Sequence, residues 1–223
     1  MDALTVKGAL SYGWNTFKAR PWIFVQAGLL LLLVNIAVNL VQTGLEEGGA
    51  LGGDALAAVT ALVAAIIGIA VSFLVSMGET AFFLRAHDAV QEVSLKDLWR
   101  PQPFLKFAGV SILSGLAIVA GFILLIVPGV ILAILFMFVG YLVIDEGLGP
   151  IEAMKRSIAL TKGSRMTLFL LALAGLGVNL LGLLALVVGL LVTIPVTFLA
   201  SAHAYRTLRN AQLPVVQEPE AAT

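Results

Sequence analysis

Apolar residues fall along this chain in long uninterrupted blocks, not in amphipathic stripes. A helix that crosses a bilayer needs about 20 such residues. Six blocks are readable, at 22–41, 55–84, 107–127, 130–144, 166–187 and 190–205. The fourth is short and only Pro128-Gly129 separates it from the third. Together the two are too long for one tilted span, and Pro-Gly is a turn signal, so a tight hairpin is expected there. Between the fifth and sixth blocks only Gly182 and Gly189 mark a turn. A re-entrant or half-spanning pair is the alternative at both places.

Charge placement sharpens this pattern. Lys7, Lys18 and Arg20 precede the first block, and Arg85, Lys96, Arg100 and Lys106 lie between the second and third. Lys155, Arg156, Lys162 and Arg165 lie between the fourth and fifth, and Arg206 and Arg209 follow the sixth. With six crossings all 13 Lys and Arg residues fall on one side. The other side holds Glu46, Glu47 and Asp54 in a Gly-rich loop. The positive-inside rule makes the basic side cytoplasmic, and merging either hairpin into one span breaks the segregation. The expected fold is therefore all-α: an integral membrane helical bundle of six transmembrane helices as three hairpins, with both termini cytoplasmic. Residues 1–209 form one transmembrane domain. The tail 210–223, with Pro214 and Pro219, is expected to be disordered.

A self-alignment at an offset of 144 residues lays Ala9–Lys18 over Ala153–Lys162 and Asn35 over Asn179. In the first stretch Val6, Leu10, Trp14 and Phe17 follow helical spacing; in the second Ile151, Met154 and Ile158 do. Ser94 and Asp97, spaced like a capping box, open a third short amphipathic segment. Ile126-Val127-Pro128 resembles Thr193-Ile194-Pro195, each opening an even-numbered span. Three units are expected, each a cytoplasmic interfacial amphipathic helix followed by a transmembrane hairpin. The clearest interfacial helix starts at Pro150 and stops at Gly163. Its Lys155, Arg156 and Lys162 are candidates for binding anionic headgroups.

Composition narrows the chemistry. Hydrophobic residues make up 60% and charged ones 12%, far too little charge to cover a soluble domain. The net charge is zero, which argues against a nucleic-acid partner. There is no cysteine, so disulfides, thiolate metal sites and cysteine nucleophiles are excluded. Lys7, Lys18 and Arg20, spread over a mixed stretch, do not read as a signal peptide. No G-x-S-x-G, H-E-x-x-H or P-loop pattern occurs, so no enzyme, metal site or cofactor is expected.

The polar residues within apolar blocks are the remaining candidates. Thr60, Ala64, Gly68, Ser72, Ser76 and Thr80 recur every four residues, a ridge that lets another helix approach closely. Glu79 continues the same helix, and carboxylates within a bilayer often mark ion or proton paths. Its position near the inner interface also allows it to pair with Arg85, His87, Arg165 or Arg206. Asn35, Asn39 and Gln42 on the first span and Asn179 on the fifth either bond across helices or line a polar path. His87 and His203 sit near span ends, where interfacial histidines are common. Asp145 and Glu146 end the fourth span, where the helix dipole disfavours them, and are expected to answer Lys155 or Arg165.

The runs Leu124-Leu125-Ile126-Val127-Pro128-Gly129 and Tyr141-Leu142-Val143-Ile144-Asp145-Glu146-Gly147-Leu148-Gly149-Pro150 carry a resemblance. With Lys155-Arg156-Ser157, Leu160-Thr161-Lys162-Gly163 and the N-terminal Ser11-Tyr12-Gly13-Trp14, the chain resembles bacterial and archaeal membrane proteins related to the membrane domain of glycerophosphoryl diester phosphodiesterases. The resemblance implies a six-helix membrane domain without the soluble catalytic barrel. The leading functional expectation is a non-catalytic module of a bacterial cytoplasmic membrane: a scaffold, accessory or partner-binding subunit. Its partners are the lipid bilayer and another membrane protein or a second copy. The alternative is a small transporter or permease component with a polar site near Asn35, Asn179 and Glu79. A lipid-modifying membrane enzyme is a weaker third.

Overall fold

A computed structural model of the chain describes residues 4–99, 103–185 and 188–212. Arg100 and the tail beyond 212 lie outside these residues. Nine helices and one 3-10 turn occupy the described residues, with no strand among them. In order they are α1 (Val6–Ala19), α2 (Pro21–Ala50), α3 (Asp54–Asp88), the 3-10 turn Leu95–Trp99, α4 (Phe104–Leu124) and α5 (Ile126–Leu135). Then follow α6 (Val139–Glu146), α7 (Pro150–Leu160), α8 (Arg165–Leu184) and α9 (Leu190–Gln212). Helices dominate because a lipid environment leaves backbone groups no partner but their own segment.

Five stretches are long and apolar enough to cross a membrane: α2, α3, α4, the α5–α6 stretch Ile126–Glu146, and α8. The expected sixth block, 190–205, opens α9, which is not among the five; its second half carries His203, Arg206 and Arg209. The short amphipathic segments form where expected. Thr5 caps α1 by accepting from the Gly8 amide at 3.1 Å, Pro150 opens α7, and the Ser94 amide donates to Asp97 Oδ2 at 2.8 Å. The 144-residue offset reappears in the packing. Ala9, Gly13, Thr16 and Phe17 are the buried residues of α1, and Ala153, Ser157, Leu160 and Thr161 are buried at the matching positions. The two short helices thus bury the same face in the same register.

Three details differ from the expectation. The α4–α5 turn sits at Leu125, whose backbone is extended, and not at Pro128-Gly129. Pro128 occupies the first turn of α5, where a missing N–H costs no hydrogen bond. The fourth block is not one helix: it breaks over Phe136–Phe138, between α5 and α6. Finally, residues 210–212 belong to α9, held there because Arg156 donates to the Gln212 side-chain oxygen at 3.1 Å and Gln212 donates to the Ala159 carbonyl at 3.2 Å.

Ser157 of α7 explains how the break is tolerated. Its hydroxyl donates to the Leu135 carbonyl at 2.7 Å and accepts from the Phe138 amide at 3.4 Å. Both groups would otherwise be orphaned away from water, and Ser157 is fully buried. The core lies at this level of the bundle. Its largest wholly buried side chains include Phe24, Phe82, Phe138, Leu142, Leu160, Leu168, Leu199 and Tyr205. They cluster toward the ends of α3, α6 and α9 and the starts of α2 and α8. Beyond them the long helices expose Leu, Ile and Val, as lipid permits. Removing the hydroxyl with Ser157→Ala is expected to cost about 1–3 kcal/mol, read as a lower Tm in detergent. Ser11→Ala, on the exposed face of α1, is expected to leave Tm unchanged.

Candidate functional site

Two polar regions stand out. The first gathers side chains from α1, α3, α6 and α9. Arg206 on α9 donates to Asp145 Oδ2 at 2.8 Å and forms a two-bond ion pair with Asp88 at the end of α3. Arg209, one turn on, reaches Glu146 Oε1 at 3.0 Å and Asp145 Oδ2 at 3.2 Å. The Tyr205 hydroxyl also donates to Asp145, at 2.8 Å. Asp145 and Glu146 thus answer Arg206 and Arg209, not Lys155 or Arg165 as expected, because α9 and not α7 or α8 carries its cations past the end of α6. Tyr12 of α1 stacks on His203, centroids 4.2 Å apart, and donates to the His87 carbonyl at 2.8 Å. Burial pushes the Tyr12 phenol above its ordinary value, a push reinforced by the charge of Asp88 and opposed by a bond to Thr16. It therefore stays a neutral donor. His87 and His203 meet at 3.2 Å, and His87 also touches Asp88.

Other cations close the same end of the bundle. One Arg20 nitrogen donates to three carbonyls after α3, those of Val90, Gln91 and Val93 at 3.2, 2.8 and 3.0 Å. Lys106 at the start of α4 donates to the Gly147 carbonyl after α6 at 2.8 Å. Arg85 pairs with the buried Asp97 at 3.4 Å. In the sequence Arg206 and Arg209 read as orientation signals, and Arg206 also as a possible partner of Glu79. Their partners were hidden because Asp88, Asp145 and Glu146 lie about 60 to 120 positions away in the chain.

The second region is the α2–α3 pair. The small-residue ridge packs as expected only in part. Thr60 lies against Gly49, Gly68 against the Gln42 side chain, and Thr80 is buried near Gly140 of α6. Gln42 crosses to α3, donating to the Ala64 carbonyl at 3.0 Å. Ser72 and Ser76, however, are exposed, and so are Asn35 and Asn39. Both asparagines spend a donor on their own helix, to Leu31 and Asn35 carbonyls at 3.0 and 2.8 Å. Among the described residues neither bonds another helix. Glu79, half-buried, has no ion pair or hydrogen bond among the described residues, so none of its four expected cationic partners meets it.

Asn35 and Glu79 do come together. They share a cavity of about 440 Å³ between α2, α3 and α9 and a smaller one of about 280 Å³ with Ser72 and Ser76. Asn35, Asn39, Gln42 and Ser72 line a further cavity of about 440 Å³. Asn179 is elsewhere: it donates to Thr197 Oγ1 at 3.3 Å and lines a cavity with α1 and α9. Lys155 and Lys162 are exposed, while Arg156 is tied to Gln212. Among the described residues no group of three or more His, Asp or Glu side chains is placed to hold a metal.

These features define an all-helical protein of membrane-helix character whose polar groups concentrate at one end and along one helix pair. The chain belongs to the family described as Domain of unknown function (DUF7847), which matches residues 4–222. No curated protein and no solved structure matches it.

The charged junction has a measurable weight. Arg206 and Asp145 are each 13% exposed. Removing one partner of so buried a pair leaves a desolvated charge, so Arg206→Gln is expected to cost about 3 kcal/mol. Asp145→Asn is expected to cost a similar amount, and the double variant clearly less than the sum of the two. Unfolding in detergent, run as a double-mutant cycle, checks this.

Proposed function

We propose that this chain is a non-catalytic, partner-binding module of a bacterial cytoplasmic membrane, crossing it six times as three hairpins with both termini cytoplasmic. In this reading α9 is the sixth crossing. It turns back from α8 through a close contact in which a Cβ on Gly189 would lie 2.4 Å from the Gly182 carbonyl oxygen. Its far end meets Asp88 and Asp145 at the basic side. α1, the Leu95–Trp99 turn and α7 are the interfacial segments of the three units, and Lys155 and Lys162 reach headgroups. Kinship with the phosphodiesterase membrane domains is part of the same proposal and rests on the motifs around Pro128 and Pro150.

One observation carries the partner-binding reading. The exposed face of α2 and α3 presents Asn35, Asn39, Ser72 and Ser76, on helices of 30 and 35 residues where about 20 suffice to cross. Lipid tails offer such groups nothing, whereas a neighbouring transmembrane helix can bond them. The apolar flanks of α4 and α8 show no comparable polar row. A second reading, a small transporter component, is favoured by the cavities that Asn35 and Glu79 share.

Photo-crosslinking in native membranes separates the surfaces. A benzophenone side chain at Ser72 is expected to give a protein adduct of discrete mass, either with a second copy or with another membrane protein. The same probe at Ile123, exposed on α4, is expected to give lipid adducts only. Lipid adducts alone from both positions overturn the partner-binding reading.

A further inference from the structure

The half-open cavity between α2, α3 and α9 is the space with the most definite chemistry. Its walls are apolar, built from Leu31 of α2, Ile194 and Pro195 of α9, and three phenylalanines. Phe24 and Phe82 are fully buried and meet edge to face, centroids 5.9 Å apart; Phe83 is parallel to Phe24 at 6.2 Å and stacks on Phe198 at 4.9 Å. Into this lining project two polar groups, the Glu79 carboxylate and the Asn35 amide. Among the described residues no cation pairs with Glu79, and the arginines at the helix ends are engaged elsewhere. Arg206 and Arg209 are held by Asp88, Asp145 and Glu146, Arg85 faces Asp97, and Arg20 is bound to carbonyls. A lone carboxylate in an apolar, aromatic chamber is unfavourable unless something of opposite charge joins it.

We propose that this cavity binds a lipophilic organic cation, a hydrophobic amine or quaternary onium ion, with Glu79 as the counter-charge and Phe24, Phe82 and Phe83 as the apolar walls. At about 440 Å³ the chamber is of small-molecule size. A metal ion does not suit it, because the walls supply too few oxygen ligands. Asn35 supplies a carbonyl oxygen beside the carboxylate, since its amide nitrogen is committed to Leu31. The proposal shares its cavity with the transporter reading and claims binding only. It shares Asn35 with the partner surface, but the tests are separate: loss of the Ser72 crosslink leaves it standing, and loss of cation binding leaves the partner reading standing.

The test uses the purified full chain in nanodiscs of zwitterionic phospholipid, with empty nanodiscs subtracted. The probes are tetraphenylphosphonium and tetraphenylborate, which have the same shape and opposite charge. The wild type is expected to bind the cation saturably, one per chain, and the borate anion, titrated separately, is expected not to bind. Glu79→Gln is expected to weaken cation binding by about 30-fold, whereas Glu79→Asp keeps most of it. Gly28→Phe, which adds a ring to the cavity wall while leaving the carboxylate, is expected to abolish binding. Each variant is checked by size-exclusion and helical circular dichroism. Non-saturable uptake by the wild type, equal binding of the anion, or full binding by a folded Glu79→Gln protein would each overturn the proposal. The last two results would mark the space as a simple acyl-chain pocket.

Discussion

The bidentate grip of Arg206 on Asp88 and its bond to Asp145 fasten three helices at one end of the bundle. Within a bilayer, helices have little hydrophobic reason to associate, because lipid tails are as apolar as Leu side chains. Association then depends on close packing and on specific polar bonds. In this chain both concentrate at the same level. The Arg206 junction caps α3, α6 and α9, Ser157 seals the break between α5 and α6, and α1 lies across α9 where Gly13 leaves room for the Val196 carbonyl. The deepest side chains, among them Tyr205, Phe138 and Leu142, sit directly beneath. Away from this end the long helices still meet in pairs, α2 with α3 and α4 with α5, but turn apolar flanks outward.

This division of labour accounts for what was legible in the sequence. Helix positions were, because apolar blocks and their flanking cations report the bilayer directly. The recurrence of the short amphipathic helix was legible too, and it survives as a shared buried register at Ala9, Gly13, Ala153 and Ser157. The position of the α4–α5 turn was not. Pro-Gly reads as a turn, yet a proline fits the first turn of a helix just as well, and Leu125 made the turn instead. Neither was the break at Phe136–Phe138, since every residue around it is apolar and the group that permits it, Ser157, is supplied from another helix. Pairing of Asp145 with Arg206 is a property of tertiary contact, and local spacing pointed to the nearer Lys155 and Arg165.

The candidate polar residues separated on the same principle. Those with a partner inside the chain serve packing: Gln42 bonds α3, Asn179 bonds α9 and Thr80 is buried near α6. Those that bond no other helix among the described residues, Asn35, Asn39, Ser72, Ser76 and Glu79, cluster on or beside the α2–α3 pair. Sequence spacing placed all of them on the correct helices but could not tell the two groups apart, because the distinction lies in what stands opposite. Membership of a family described only as of unknown function leaves that opposite partner to physical argument. The α2–α3 pair is the part of the molecule whose chemistry its own fold leaves incomplete.

In the proposed topology all basic helix ends lie on one side of a membrane that the chain crosses six times. Since the chain has no cysteine, single cysteines can be introduced one at a time and labelled in intact cells with a membrane-impermeant maleimide. Gly52→Cys, between α2 and α3, is predicted to label from outside. Glu92→Cys, Leu148→Cys and Asn210→Cys are predicted to label only after lysis. External labelling at position 210 alone would mean five crossings, and would contradict an Arg206 junction shared with Asp88 and Asp145.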